Sequence, residues 1–201
     1  MESFISIEFG RLLRANNTGF VAGCQISQLN IPSLGSLVMV PQEYDYKIYG
    51  LIYEIQIDDD GLIRQLITAE DVDENIIADN RINRNVPLEI SILSVGFSLD
   101  GKISHLLPPR PPLSLDLIYQ CGERDIREFT NFGNFGYFRH ILGSADLPIG
   151  DLIAAHIAQS QNAHAKNGDH NWINLATQEL IILLRDDHQT LMSVLGALGD
   201  I

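Results

Sequence analysis

Four of the six histidines fall in the last third of the chain: His156, His164, His170 and His188. Zinc chemistry needs three or four imidazole, thiolate or carboxylate ligands converging on one point, and short helical spacings such as HExxH announce that convergence. His164 and His170 are too far apart for an i, i+4 pair, and no HExxH stretch exists. His156 falls on an apolar helical stripe, where a hydrogen-bonded core histidine is expected. Asp58-Asp59-Asp60 lacks the alternating oxygen ligands and terminal Glu of a calcium loop and reads as a solvated turn. Cys24 and Cys121 occur in no CxxC or Cys/His pattern, and no GxSxG or cysteine-hydrolase signature is present. The expectation is therefore no catalytic residues, no metal and no cofactor.

Two other groups of side chains remain. Glu123, Arg124, Arg139 and His140 are the nearest cluster of functional groups along the chain. They motivate an alternative, a small-ligand binder or enzyme with a pocket between two structural layers. Gly133-Asn134-Phe135-Gly136-Tyr137-Phe138 combines glycine with aromatics. It suits a loop presenting Phe132, Phe135, Tyr137 and Phe138, since aromatic residues are enriched in interface cores. The opposing expectation is that these rings pack between the two halves of the molecule.

The elements that must hold these groups divide at a proline strap. Before it the chain reads as β. Phe4 to Arg14 is followed by Asn16-Asn17-Thr18-Gly19, residues that tolerate the positive φ of a tight turn, and Phe20 to Cys24 is the return strand. Leu37 to Val40 reads as a buried strand, Lys47 to Ile57 as the longest strand, and Leu88 to Val95 as a strand alternating apolar and polar. Asp100-Gly101 is a second hairpin turn, and Ile103 to Leu107 is expected to close the series. A helix is expected near Glu70 to Ala78. Pro108-Pro109-Arg110-Pro111-Pro112 then ends the ladder, because proline donates no backbone hydrogen bond. Beyond it the period becomes helical. Pro148, with Asp146 as cap, starts one helix, Leu175 to Leu184 marks a second, and Leu191 to Leu198 a third or the continuation of the second. The expected fold is α+β: a small N-terminal β-barrel over residues 1–112, then a helical region over 113–201.

The first half resembles the HAS barrel, the β-barrel shared by HerA-type DNA-translocating ATPases and ATP synthase subunits. The residues carrying the resemblance are Phe9-Gly10-Arg11-Leu12, Thr18-Gly19-Phe20, Ile48-Tyr49-Gly50-Leu51-Ile52-Tyr53, and Gly101-Lys102-Ile103 running into the proline strap. The resemblance covers roughly residues 4–120 of a domain of ordinary size. In HerA-type proteins a P-loop ATPase domain follows the barrel. Here the corresponding stretch, His140 to Pro148, lacks the Gly-Lys-Ser/Thr that grips the phosphates and Mg²⁺. The resemblance implies a barrel without its motor, working as a non-catalytic assembly or adaptor module that contacts itself or a protein partner, including a HerA-type ATPase or nuclease.

Charge narrows the partners. The 201-residue chain carries 13 Lys+Arg against 26 Asp+Glu, net −13. Both halves are acidic, so no basic arm offsets the rest. Such a chain repels phosphate backbones and anionic lipid, which argues against direct nucleic-acid or membrane binding. Two isolated cysteines, an N-terminus without a basic-then-apolar leader, and no apolar run of about 20 residues lead to the expectation of a cytoplasmic protein.

Overall fold

The computed structural model describes residues 6–24, 32–57, 68, 74–76, 88–144 and 147–200. Seven strands form: β1 (Ile7–Ala15), β2 (Gly19–Cys24), β3 (Leu37–Pro41), β4 (Tyr46–Gln56), β5 (Leu88–Leu99), β6 (Lys102–Ser104) and β7 (Leu117–Gln120). The order β2-β1-β7-β3-β4-β5 closes on itself, because β2 also pairs with β5 from Gly19↔Leu93 to Cys24↔Leu88. The result is a closed six-stranded antiparallel barrel, with β6 attached to β5 outside the ring. Closure removes the unpaired edges that an open sheet would expose. Register shifts between Leu12 and Arg14 in β1, at Val95 in β5 opposite Tyr49/Gly50, and between Ile52 and Glu54 in β4 bend the strands around the ring.

The alternation of side chains builds two cores. Val38, Val40, Ile48, Ile52, Ile90 and Ile92 point inward with Leu12, Phe20 and Ile118 and fill the barrel. Their neighbours Leu37, Met39, Tyr49 and Leu51 point outward and meet the helices. Leu37 to Val40 is apolar at every position because both faces of β3 are covered.

The helical layer comprises α1 (Glu123–Thr130), a 3₁₀ turn (Gly133–Phe135), α2 (Phe138–Leu142), α3 (Ile149–Ala165), α4 (Trp172–Leu183) and α5 (His188–Leu198). α3 is central. It buries Leu152, Ile153, His156, Ile157, Ser160, Ala163 and His164 between the barrel side and the outer helices. Pro148 occupies its N-cap position without a side-chain hydrogen bond, and the Asp187 carboxylate caps α5 by accepting from Thr190 N at 3.1 Å. No helix among the described residues is long and apolar enough to cross a membrane.

The α+β class and the order barrel-then-helices agree with the sequence expectation. Three local expectations differ. The barrel does not end at residue 112: β7 lies beyond the strap and pairs with both β1 and β3, completing the ring. Four residues are too few to display strand periodicity, and only pairing from both sides makes Leu117–Gln120 a strand. The stretch from Ile103 to Leu107 does not close the series. Its strand stops at Ser104, outside the ring, and Leu106 and Leu107 are exposed. Residues 123–130 and 138–142 are helical, where the sequence placed no particular helix within the expected helical region. Of the helix expected at Glu70 to Ala78, Glu74 to Ile76 are helical; its other residues, Asp58–Asp60 and Asp146 lie outside the described residues.

Candidate interaction surfaces

The buried titratable groups serve internal joints. His156, on α3, donates from Nδ1 to the Gly35 carbonyl at 3.1 Å. Its Nε2 therefore accepts from the Tyr137 hydroxyl at 3.0 Å. Burial lowers the His156 pKa to about 4, so the ring is neutral at pH 7. The loop can reach α3 only because residue 35 is glycine: its φ is +77°, and a Cβ there would lie 2.6 Å from His156 N. His105 Nε2 donates to Phe129 O at 3.1 Å, and burial lowers its pKa to about 4 as well. The Thr130 hydroxyl donates to Ile126 O and is left to accept from His164 Nε2 at 2.8 Å. His164 also stacks on Trp172, with centroids 4.7 Å apart. His170 and His188 are exposed. Burial pushes the Cys24 thiol up to about 11 and raises the Cys121 thiol well above its ordinary value, so both are protonated thiols at neutral pH rather than nucleophiles.

The four-residue cluster separates in space. Arg139 and His140 converge on the His105 carbonyl, His140 Nε2 at 2.7 Å. Glu123 pairs with Lys166, and Arg124 pairs with Glu128 one turn along α1. The chain thus brings two of them onto a backbone acceptor and turns the other two toward different salt bridges. The aromatic group also divides. Tyr137 and Phe138 are fully buried. Phe135 stacks on Phe138 and meets Trp172 edge-on. Phe132 alone is half exposed, its ring edge toward His105.

Exposed apolar side chains gather elsewhere. α4 rests on α3 and the 3₁₀ turn through Trp172, Ala176, Leu180 and Leu184. Its opposite side carries Leu175 and Ile182, seven residues and nearly two turns apart, at 48% and 58% exposure. Ile181 and Leu183 flank them, also exposed. From Asn171 to Leu184 the only charged residue is Glu179, and Arg185, Asp186 and Asp187 follow, all exposed.

A second exposed group sits on the barrel turns. Tyr44, in the β3–β4 turn, is 87% exposed. Its φ is 58° and that of Asp45 is 51°, the two-residue left-handed pattern that Asn-Gly adopts without strain. Leu115, with φ 74°, and Leu113 project from the turn leading into β7. Gln42 Nε2 donates to the Asp116 carboxylate at 2.7 Å and ties the two turns together. Near the β1–β2 turn, where the Asn16 side chain accepts from Thr18 N and Gly19 N, lies an open groove of about 500 Å³. Tyr53, Leu93 and Leu147 line it, with Phe20 and Ile92 buried in the barrel behind it, and among the described residues Arg14 is its charged lining side chain.

Sequence reasoning did not single out Tyr44, Leu115 or the outer side of α4. Leu175 and Leu183 read as helix core, because a 3.6-residue period marks apolar positions without saying which neighbour covers them. The usable signal at Tyr44-Asp45 was a hairpin with no glycine or asparagine at its tip.

No protein-family model and no curated protein matches the chain. The class of protein is accordingly defined by its architecture: a closed six-stranded antiparallel barrel followed by a helical layer.

Proposed function

We propose that the chain is a non-catalytic assembly or adaptor module of the cytoplasm, docking a protein partner on the outer side of α4. The observation that carries this reading is the exposed apolar group of Leu175, Ile181 and Ile182 on the side of α4 turned away from buried Trp172, Ala176 and Leu180. Contiguous exposed apolar surface marks contact sites. Glu179, Asp186 and Asp187 border the group together with Arg185, which pairs with Asp186 at 3.1 Å, so the border is net acidic and suits an apolar partner surface edged by Lys or Arg. The HAS-barrel resemblance makes a HerA-type ATPase, or the nuclease that works with one, the first partner to try.

The test is affinity capture of the native chain against Leu175→Glu/Ile182→Glu and an exposed control, Lys102→Glu. Both altered residues are exposed, so melting temperature should stay within about 2 °C of native. Capture of one defined partner by native and control chains, lost with the α4 variant, supports the reading. Equal capture by all three, or by none, overturns it.

A further inference from the structure

One asparagine of the chain precedes a glycine: Asn167-Gly168, in the loop between α3 and α4. Every other asparagine is followed by a residue that carries a β-carbon. The difference bears on the chemistry of the amide itself. A backbone nitrogen can attack the carboxamide carbon of the asparagine before it. A β-carbon on the attacking residue crowds that approach, whereas glycine leaves it open.

The structure leaves this pair free to react. Asn167 and Gly168 are both exposed. Gly168 has φ +86°, and nothing lies within 4 Å of the position its Cβ would take, so neither the attack nor the entry of water meets an obstacle there. The Asn167 carboxamide makes no hydrogen bond among the described residues. Other carboxamides are tied down: Asn16 Oδ1 accepts from Thr18 N and Gly19 N, Asn17 Nδ2 donates to Pro108 O, and Asn174 Nδ2 donates to Asn171 Oδ1. Gly168 N donates to Ala165 O at 2.9 Å, but this bond closes the exposed last turn of α3, where hydrogen bonds open at little cost.

We propose that Asn167 is a site of spontaneous deamidation and isomerisation that loosens the start of α4. When the bond to Ala165 opens, Gly168 N attacks Asn167 Cγ. The N–Cγ bond forms as Cγ–Nδ2 breaks, and the amide proton of Gly168 leaves with that nitrogen as ammonia. Water then opens the cyclic imide at either carbonyl. One route gives aspartate, and the other gives isoaspartate, whose main chain runs through the former side chain and is one carbon longer. That carbon enters where the loop is most tightly closed. His164 O accepts from both Asn167 N at 2.9 Å and Asp169 N at 3.1 Å. Asp169 Oδ1 accepts from Asn171 N at 3.1 Å and Trp172 N at 3.2 Å, satisfying two of the free N–H groups at the start of α4. The longer chain cannot keep both sets in place, so the helix that carries the exposed apolar group loses its anchored start. The modification goes beyond the docking reading and does not depend on it.

The experiment is incubation of the purified full chain for several weeks at mildly alkaline pH, where more of the attacking nitrogen is deprotonated. Peptide mapping by mass spectrometry follows each asparagine, and methyl acceptance from an L-isoaspartyl methyltransferase reports isoaspartate. The peptide holding Asn167 should convert first, with isoaspartate the larger product. Gly168→Ala and Asn167→Gln should stop the conversion, the first by crowding the attack and the second by requiring a larger ring. In the isoaspartate fraction, separated by ion exchange, backbone hydrogen exchange over residues 169–174 should be faster than in the native chain. Asn167→Asp, which carries the same charge on an ordinary main chain, should exchange like native. Conversion of another asparagine ahead of Asn167, conversion of Gly168→Ala at the native rate, or conversion only in denaturant overturns the site. Isoaspartate at residue 167 with native exchange over residues 169–174 overturns its effect on α4. Capture by the α4 variant is read in a separate assay, so this site and the docking reading can fail independently.

Discussion

The joint at His156 sets how this protein responds to acid. In the fold His156 is buried and neutral, its Nδ1 donating to Gly35 and its Nε2 accepting from Tyr137. Its pKa falls from the ordinary 6.5 to about 4 on burial. Between those values the unfolded chain binds a proton that the folded chain does not, so stability falls as pH drops from about 6.5 toward 4. The full contribution is present above the unfolded pKa. A shift of this size corresponds to roughly 3 kcal/mol lost across the window. Thermal melts at pH 7 and pH 4.5 should show this loss, and His156→Gln, which cannot titrate, should flatten the pH dependence. An equally steep dependence in the variant would assign the effect to other groups, His105 first.

Among elements, the contact of the Ser33–Ser36 loop with α3 is the tightest. The chain turns at Gly35 with φ +77°, bonds Ile52 O through Gly35 N at 2.8 Å, and offers its carbonyl to His156. Gln159 adds bonds to Leu34 O and to the Ser36 hydroxyl. Gly35→Ala would set a Cβ against the α3 backbone and force a left-handed alanine. We expect a loss of about 2–4 kcal/mol in chemical denaturation. Gly168→Ala is the comparison: its φ is +86° but no neighbour lies within 4 Å, so it carries the backbone penalty alone. Equal losses at both sites would show that close approach to α3 is not the cause. At this scale the sequence was legible where the signal is local. The Asn16–Gly19 turn, the apolar run of β3 and the start of α3 at Pro148 all follow from neighbouring residues. The helices at 123–130 and 138–142 were not legible, because each is short and is stabilised mainly by packing of Phe129, Phe138 and Ile141 against the barrel side.

At the scale of the whole molecule, barrel and helices are one folding unit. β7 is delivered by the chain after the proline strap, and the outward residues Leu37, Met39, Tyr49 and Leu51 are covered only by the helical layer. A fragment of residues 1–112 lacks β7 and leaves an unpaired gap between β1 and β3. It should not unfold cooperatively, and it should expose apolar surface to a hydrophobic dye, whereas the intact chain shows a single transition by circular dichroism and fluorescence. A stable, cooperative 1–112 fragment would contradict this dependence. The candidate surfaces belong to the same scale. The aromatic residues from Phe132 to Phe138 were visible in sequence as a group, but only packing against Trp172 and His156 separates buried Tyr137 and Phe138 from exposed Phe132.

By itself the sequence determined the α+β class, the strands and turns of the first half, the strap, and three of the helices, because periodicity and turn chemistry act over a few residues. Only the tertiary structure decided that β7 completes the ring and that Arg139 and His140 meet on one carbonyl while Glu123 and Arg124 turn away. It also decided which apolar residues stay uncovered, among them Leu175, Ile182 and Tyr44. Those outcomes depend on residues about 30 to 120 positions apart along the chain being brought into contact, and no local pattern encodes which of two equivalent apolar faces will find a neighbour.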